Sequence, residues 1–479
     1  MTSSLRTTIL PCLTSWKMQV CLALVFSLIS ILIASKDYTF ENYTGDSHGY
    51  IKIADDLVKS GTFTDGHYSA QAVVQGPHGE GMFFAPLYPT FLAGVITVDP
   101  AFAGTVDCYL AAADETGRRA CPQELGLLQP VQMILAILSL FLVWLSAWHL
   151  TGRLSVAWLS MILASCAEAY AYYTSFIMTE ALVFPLFTAA CLLAVLAWKY
   201  KKGSAFFACG VMLGLLALTR PSYIYLFYLA FAASVAAGLL SGRSLKQKLG
   251  WPLLLLAGYA LMAAPWMIRN GQVLGTYAIS KGYAPFILTQ RIAYNEMDAR
   301  QLAVSFVYGL PDFGDSLVKK YFPAEDYAKL DYSNPDGYYQ TSNREMWKRT
   351  DEGIKVSDSE LSNMIKTDVL GNLTKHVMVT FSLAWRGMWV SKYWGLIAIP
   401  VFMGVAVSAI RRKWSAFFVF SIPPWFMLGL HAFTSVNVVR YNLILIPCLA
   451  IAVAVAIMAG VDRLKTARRS TDTTLTDGA

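Results

Sequence analysis

Residues 18–35, MQVCLALVFSLISILIAS, contain no charged side chain and form one nearly continuous apolar run. The hydrocarbon core of a bilayer is about 30 Å thick, and a helix needs about 20 mostly apolar residues to cross it. Similar runs recur along the chain, and the candidate spans are 18–35, 127–149, 154–173, 181–198, 205–219, 222–240, 251–268, 392–410, 415–431 and 442–461. The sequence therefore predicts an all-α polytopic membrane protein with about ten transmembrane helices, the fifth of them short.

The composition agrees with this interpretation. Hydrophobic residues make up 56% of the 479-residue chain, charged residues only 14%, and the mean hydropathy is +0.47. Soluble globular domains carry about 25% charged residues, so an ordinary soluble protein is excluded. The net charge of +7 comes mostly from short loops between spans, and no nucleic-acid partner is needed to explain it.

Lysine and arginine residues predict the orientation, because cytoplasmic loops of membrane proteins are enriched in them. With the N-terminus inside, every short inner segment is basic, and these residues are Arg6, Lys17, Arg153, Lys199, Lys201, Lys202, Arg243, Lys246, Lys248, Arg411, Arg412, Lys413, Arg463, Lys465, Arg468 and Arg469. The first span is expected to remain as an anchor, because Ile33 stands where a cleavable signal peptide has a small residue.

This orientation divides the chain into five regions. They are a cytoplasmic N-terminus at 1–17, a transmembrane core at 18–270 with an outer loop at 36–126, a second outer loop at 271–391, C-terminal transmembrane helices at 392–461, and a cytoplasmic tail at 462–479. Both outer loops are too long for simple connectors, so we expect them to contain interfacial helices and to carry function.

The first outer loop begins with a helix that carries an acid near its start. In residues 43–61, YTGDSHGYIKIADDLVKSG, apolar side chains recur at helical spacing, and Lys52, Asp55, Asp56 and Lys59 fall on the other face. Asp46 and Ser47 stand at the N-cap position, and Gly61 stands where the helix should end. Asp46 is therefore either a helix cap or a functional carboxylate.

Two cysteines of this loop differ from the rest. Of eight cysteines, only Cys108 and Cys121 lie in a loop, whereas the others lie in or beside apolar spans. If the loop faces an oxidising compartment, a disulfide between them is expected, and two reduced thiols are the alternative.

Four ionisable residues stand at the outer ends of spans, against the inner basic bias: Glu180, Arg220, Arg269 and Arg440. Any one arginine there could be an interfacial anchor, but three of them with outer carboxylates indicate a shared site for an anion. An arginine fork binds phosphate through two hydrogen bonds, and an ionised carboxylate accepts a proton or holds a divalent cation. Glu168 lies deeper, inside the third apolar span, where it could line the same cavity or pair with another helix.

The histidines of the first loop are a weaker signal. His48, His67 and His78 share that loop with many acids, but their spacing matches no standard set of metal ligands. We interpret them as surface residues and leave a divalent metal ion open.

Six short motifs make the chain similar to the GT-C class of polytopic glycosyltransferases. They run in order from about residue 45 to 455 and read GDSHGYIKIADDLVKSGTF, FFAPLYPTFLAG, SFIMTEALVFPLF, LALTRPSYIYLF, APWMIRNGQVLGTYAIS and VVRYNLILIPCLAI. The resemblance is to the bacterial branch that looks like the aminoarabinose transferase of lipid A and the protein O-mannosyltransferases. It implies a GT-C-like fold in the bacterial inner membrane, with an active site that faces the periplasm.

The resemblance also implies a role for each outer charge. The catalytic acid of the class falls on Asp46, although Ser47 replaces the second acid that many members have there. A second acidic position falls on Glu180. The arginines that bind the donor phosphate correspond to Arg269 and Arg440, with Arg220 as a further candidate.

We therefore expect the transfer of a single sugar, with inversion, from a polyprenyl-phosphate donor to a glycan, lipid or protein acceptor at the outer face. Outer aromatic residues could stack on sugar faces or anchor the loops at the interface, and these are Tyr50, Tyr68, Phe83, Phe84, Tyr88 and Trp347. One alternative is a transporter or flippase of an amphiphilic anion, although the related halves expected of such a protein are not seen. Another is an oligosaccharide ligase or polymerase.

Overall fold

The computed structural model describes residues 15–38, 45–66, 76–240, 245–311, 313–351, 358–391 and 393–476. Its α-helices are α1 Trp16–Ala34, α2 Gly45–Ser60, α3 Leu87–Val98, α4 Pro100–Ala111, α5 Glu115–Ala120, α6 Leu128–Thr151, α7 Leu154–Ser165, α8 Ala169–Tyr172, α9 Glu180–Tyr200, α10 Gly203–Thr219, α11 Ile224–Leu239, α12 Leu245–Leu274, α13 Tyr283–Ala293, α14 Ala299–Tyr308, α15 Gly314–Tyr321, α16 Ala324–Leu330, α17 Tyr338–Asp351, α18 Asp358–Met364, α19 Leu373–Gly387, α20 Tyr393–Arg411, α21 Ser415–Thr434 and α22 Ile446–Thr476. Within the described residues, the one strand-like contact is a bridge between Thr64 and Glu80.

Most of the predicted spans are present as single helices. Among the described residues, eight segments are long and apolar enough to cross a bilayer, namely Trp16–Ala34, Leu128–Thr151, Glu180–Tyr200, Pro221–Leu239, Lys248–Leu274, Trp394–Arg411, Ser415–Thr434 and Val439–Arg468. The predicted fifth span is the shorter α10, and the predicted third span is broken. The prediction of an all-α polytopic membrane protein is confirmed.

The third span corrects one expectation. Its two parts, Leu154–Ser165 and Ala169–Ser175, meet at an angle of 55°. Glu168 stands at the break with a φ of +50°, and its side chain is exposed. The predicted span at 154–173 is therefore bent rather than one straight helix, and Glu168 lies at the bend.

The first outer loop folds into a compact unit around α2. Helices α3 and α4 have 12 residues each and bend by 117° at their junction. A 12-residue helix is about 18 Å long, which is too short to cross a bilayer core. The apolar faces of α2, α3 and α4 meet in one buried cluster that includes Ile53, Tyr88 and Phe102.

The second outer loop contains α13 to α19 and has its own apolar cluster, which also takes in the end of α21. Its last helix, α19, buries Val379 and Leu383 on one face. The opposite face exposes Leu373, Met378 and Phe381. Since α19 is followed closely by the spanning helix α20, this exposed apolar face suits the interfacial helix predicted for the loop.

The membrane bundle is closely packed where small residues meet. A Cβ atom on Gly210 of α10 would come within 2.1 Å of the Leu255 carbonyl oxygen, and one on Gly258 of α12 would come equally close to Phe207. These glycines let the two backbones touch, as is common between transmembrane helices. Helix α22 runs past the predicted boundary at residue 461 and ends at Thr476.

Candidate functional site

Four of the five predicted charged residues meet at one end of the helix bundle, the end that carries both long loops. Asp46 lies in the first turn of α2, and Glu180 begins α9. Arg220 lies between α10 and the turn Pro221–Tyr223, and Arg440 lies in the turn Val439–Leu445 before α22. Each residue therefore stands where a helix begins or ends, which places its charge at the edge of the apolar bundle.

Asp46 and Arg440 form the more accessible of two ion pairs. The Arg440 Nη2 atom donates a hydrogen bond to Asp46 Oδ2 at 2.8 Å. The Asp46 side chain is 22% exposed and the Arg440 side chain 26%. Both side chains are therefore partly exposed.

Glu180 and Arg220 form the second pair, which is buried. The Arg220 Nη2 atom lies 2.6 Å from Glu180 Oε1, and the Glu180 side chain is only 1% exposed. The Arg220 Nε atom also donates to the Thr179 hydroxyl at 2.6 Å. Arg220 is thus held by two neighbours, and a buried pair of this kind is costly to break.

The two pairs form one electrostatic cluster. Arg440 lies within electrostatic reach of Glu180 as well as Asp46. The ring of Tyr441 lies 5.3 Å from the Arg220 guanidinium and 5.2 Å from that of Arg440. Because both cations face the same ring, Tyr441 contributes cation–π contacts to each.

Ser47 fixes the first turn of helix α2. The Ser47 side chain is fully buried, and its hydroxyl donates to the Ile177 carbonyl at 3.0 Å. Ile177 and Met178 come just before α9, so this bond ties the start of α2 to the start of α9. Asp46 and Glu180 are brought together by that contact.

Two tyrosines lie near the accessible pair, Tyr50, which is buried, and Tyr283, which is half-buried. Burial raises the pKa of Tyr50 well above its ordinary value, and the Asp46 charge raises it further. Burial raises the pKa of Tyr283 in the same way, again with a contribution from Asp46. Both phenols therefore stay neutral within electrostatic reach of Asp46. Of the other aromatic residues predicted for this role, Phe84 and Tyr88 contact Tyr50.

Arg269 is not brought to these four residues in the part of the chain that the structure describes. Its Nη1 atom donates to the Gly81 carbonyl at 2.9 Å and to Asn270 Oδ1 at 2.9 Å. Its Nη2 atom donates to the Phe63 carbonyl at 3.4 Å. The predicted phosphate-binding arginines are thus separated, since Arg220 and Arg440 lie at the acids and Arg269 lies against the first outer loop.

No group of three or more His, Cys, Asp or Glu side chains among the described residues is placed to hold a metal ion. His48 packs against Tyr109 at 5.5 Å between ring centres, and His78 is exposed. His67 and Tyr68 lie outside the described residues. A bound divalent metal stays an open prediction.

Cys108 and Cys121 are joined by a disulfide with 5.8 Å between their Cα atoms. It ties the end of α4 to the residue after α5. The bridge lies in the first outer loop, next to Asp107, which pairs with Lys59 of α2 at 2.7 Å.

Sequence reasoning missed Thr179, Tyr283 and Tyr441. Thr179 and Tyr441 each stand directly beside a predicted charged residue, and a search for hydrogen-bonding or aromatic neighbours of Glu180 and Arg440 would have found them. Tyr283 has no such local signal, because the fold brings it from the start of the second outer loop.

The fold and the charged cluster define a polytopic membrane protein with one ionic site where its two long loops meet the bundle. No protein-family model matches the chain, and no curated protein matches it in sequence.

Seven solved chains are similar to it in fold, and they include the following two. One is the archaeal oligosaccharyltransferase AglB from Archaeoglobus fulgidus, in complex with an inhibitory peptide and a dolichol-phosphate, at 13% identity and a TM-score of 0.45, covering 95% of this chain and 52% of that one. The other is ArnT from Cupriavidus metallidurans bound to undecaprenyl phosphate, at 13% identity and a TM-score of 0.41, covering 92% of this chain and 60% of that one. The chain thus spans between half and three-fifths of the length of these two proteins.

Proposed function

We propose that the chain is a membrane glycosyltransferase that moves a single sugar from a polyprenyl-phosphate carrier to an acceptor hydroxyl. The observation that carries this proposal is the accessible pair of Asp46 and Arg440, which are 394 residues apart in sequence. It places a group that can accept a proton beside a group that can bind phosphate. The sequence motifs suggest the substrate class, and the ion pairs supply the chemistry that such a reaction needs.

Arg440 is the arginine best placed to receive the donor phosphate. Its side chain is 26% exposed, whereas Arg220 is held by both Glu180 and Thr179. A phosphate diester that approached Arg440 would compete with Asp46 for the same guanidinium. We expect Arg440 to turn towards the phosphate and Arg220 to remain as a fixed positive charge behind it.

Loss of its arginine partner would leave Asp46 free to act as a general base. The acceptor hydroxyl would attack the anomeric carbon on the side opposite the phosphate, and Asp46 would take the hydroxyl proton. The new bond joins the acceptor oxygen to the anomeric carbon. The bond from that carbon to the phosphate oxygen breaks, and the polyprenyl phosphate leaves with the electron pair. Configuration at the anomeric carbon is inverted by this single displacement.

Glu180 has a supporting role in this scheme. Its carboxylate is 1% exposed and already paired, so it is poorly placed to touch an acceptor. We assign it the task of holding Arg220 and of balancing the positive charge near Arg440. Arg269, which lies against the first loop, is not needed as a phosphate ligand in this arrangement.

The acceptor is proposed to be a glycan, lipid or protein that reaches the site from the outer side of a bacterial inner membrane. The basic short segments and the long loops at the site support this placement. The bilayer would hold the polyprenyl chain of the donor, with its phosphate at the ends of α9, α10 and α22.

The test is sugar transfer by purified Asp46→Asn protein, with a panel of polyprenyl-phosphate monosaccharides and extracted envelope material as acceptor. Removing a positioned general base costs about 10²–10⁴-fold in rate, and we expect a loss of that size. The matched control is Asp107→Asn, which removes a 59%-exposed carboxylate from the same loop and should keep full activity.

Three results would count against the proposal. Near-normal turnover by Asp46→Asn would remove Asp46 as the base. Consumption of oligosaccharide donors alone would indicate a ligase or polymerase. Movement of the lipid between leaflets without any sugar transfer would indicate a flippase.

A further inference from the structure

Arg269 donates to two backbone carbonyl groups of the first outer loop, and its side chain is 23% exposed. Besides the bonds to Gly81, Asn270 and Phe63, its Nη2 atom lies 3.9 Å from Glu80 Oε1. Its guanidinium also lies 4.8 Å from the centre of the Trp266 ring. One arginine thus joins the outer end of α12 to two separate pieces of the first outer loop.

Asp65 binds the same piece of the loop from the other side. Its Oδ1 atom accepts hydrogen bonds from the backbone amides of Met82, at 2.7 Å, and Phe83, at 2.6 Å. The residue is 1% exposed. A Cβ atom on Gly81 would come within 2.1 Å of Asp65 Oδ1, so only glycine fits at that position.

The end of α12 also holds the segment that follows it. The Trp266 indole donates to the Ile279 carbonyl, and the Asn270 amide donates to the Ala278 carbonyl, both at 2.8 Å. Ser280 in turn donates to the Phe83 carbonyl at 2.6 Å. Residues 278–281 and 80–84 therefore lie against each other, and both are tied to α12.

This assembly leads directly to the tyrosines beside Asp46. The Phe83 ring packs edge-on against Tyr283 at 5.4 Å between centres. The Phe84 ring lies 4.8 Å from Tyr50 and 5.8 Å from Tyr283. Phe83 and Phe84 thus contact these two tyrosines, both of which lie within electrostatic reach of Asp46.

We propose that Arg269 is a positioning residue that acts with Asp65 to hold residues 80–84, and through Phe83 and Phe84 fixes Tyr50 and Tyr283 beside the reacting groups. This inference rests on the proposed glycosyl transfer. It assigns to Arg269 a role in geometry that differs from the phosphate contact implied by the sequence motifs.

The first test compares Arg269→Gln with Arg440→Gln in steady-state transfer. Small displacements of a site can cost up to about 100-fold in rate. For Arg269→Gln we expect kcat to fall about 10- to 100-fold, while KM for the lipid-linked donor and inhibition by free polyprenyl phosphate change less than about threefold. For Arg440→Gln we expect the donor KM and the inhibition constant to rise instead. Arg153→Gln, which removes an exposed arginine paired with Asp462, is the matched control.

The second test does not depend on activity. Hydrogen–deuterium exchange of the peptide covering residues 80–84 should be about tenfold faster in Arg269→Gln than in the wild type. The reason is that this variant loses the hydrogen bond from Arg269 to the Gly81 carbonyl. Arg269→Lys, which keeps the charge without the fork, should give an intermediate rate. Gly81→Ala should reproduce the kinetic effect of Arg269→Gln, since it displaces the same segment.

A higher donor KM with unchanged kcat and unchanged exchange in Arg269→Gln would overturn the proposal and show a phosphate ligand. If the wild-type protein transferred no sugar at all, the proposed function would fail, whereas the exchange result would still report whether Arg269 holds the loop.

Discussion

At the scale of single residues, the two acids of the site differ in how they are held. Asp46 is 22% exposed and has one arginine partner, so a ligand can displace that partner. Glu180 is 1% exposed and its partner Arg220 is also bound to Thr179. The difference in burial separates a carboxylate that can exchange partners from one that holds the site together.

This difference in burial predicts that loss of the Glu180 carboxylate destabilises the protein more than loss of the Asp46 carboxylate. Glu180→Gln should destabilise the protein by about 3–5 kcal/mol, because it leaves the Arg220 charge without its buried partner. Replacing both residues by apolar ones, as Glu180→Leu with Arg220→Met, should restore most of that stability, yet transfer should remain low because a fixed positive charge is gone. Thermal unfolding in detergent and the transfer assay measure the two effects.

The control for this prediction is Glu325→Gln, which removes a 70%-exposed carboxylate from its pair with Arg300. Its unfolding temperature should stay close to that of the wild type. Full activity in the apolar double variant would show that the Glu180–Arg220 pair is only structural.

At the scale of elements, the side chains that α2 buries differ in part from those that its sequence pattern predicts. The predicted ends are close to the observed ones, and Gly61 closes the helix with a φ of +70°. The predicted polar face is only partly right, because Asp55 is 5% exposed and Val58 is 41% exposed. Helix α2 packs against α3 and α4, and the Oδ1 atom of the buried Asp55 lies 2.8 Å from Lys59 Nζ.

Asp65 gives this loop a dependence on pH. Burial raises the pKa of Asp65 to about 6, against an ordinary value near 3.8, although two backbone hydrogen bonds oppose the shift. Between these pH values the folded protein holds a proton that the unfolded chain has lost. Stability from this group is therefore present below about pH 4 and is lost as the pH rises through 6, by up to about 3 kcal/mol.

The measurement is hydrogen exchange or thermal unfolding of the wild type and Asp65→Asn at pH 5 and pH 8. The wild type should be less stable at pH 8, and the difference should shrink in Asp65→Asn, whose side chain does not titrate. An equal pH dependence in both proteins would contradict this assignment.

At the scale of the whole molecule, the position of the site follows from which ends of the helices meet. The charged cluster and both long loops share one end of the bundle, and the short basic segments lie at the other. If the short basic segments face the cytoplasm, the proposed active site lies on the outer face.

Cysteine labelling tests that orientation. In a background where all cysteines outside the disulfide are serine, Lys320→Cys in the second loop should react with a membrane-impermeant maleimide added to intact cells. Arg412→Cys, between two spans, should react only after the membrane is opened. Both native side chains are exposed, so access to the protein surface is matched. The reverse pattern would invert the topology and place the site in the cytoplasm.

Part of the architecture was predictable because its signals are local. A spanning helix needs only a long apolar run, and such runs gave the all-α polytopic class and nearly all of the spans. The break at Glu168 could not be placed from the run alone. Its position depends on how α7 and α8 pack against other helices.

The candidate site was predictable in its residue types but not in its pairing. Charges at the apolar ends of spans are costly, and that cost marked Glu180 and the three arginines, whereas Asp46 was marked by its helix-capping position and by the motif resemblance. Whether these residues meet depends on contacts between residues hundreds of positions apart, and a local sequence pattern does not predict such contacts.

The sequence by itself therefore determined the helical spans and the set of unusual charges, because apolar length and desolvation act on each segment separately. Only the tertiary structure decided that Arg440 joins Asp46, that Arg220 joins Glu180, and that Arg269 binds the first loop. Those partnerships are set by the packing of α2, α9, α12 and α22, and that packing is a property of the whole fold.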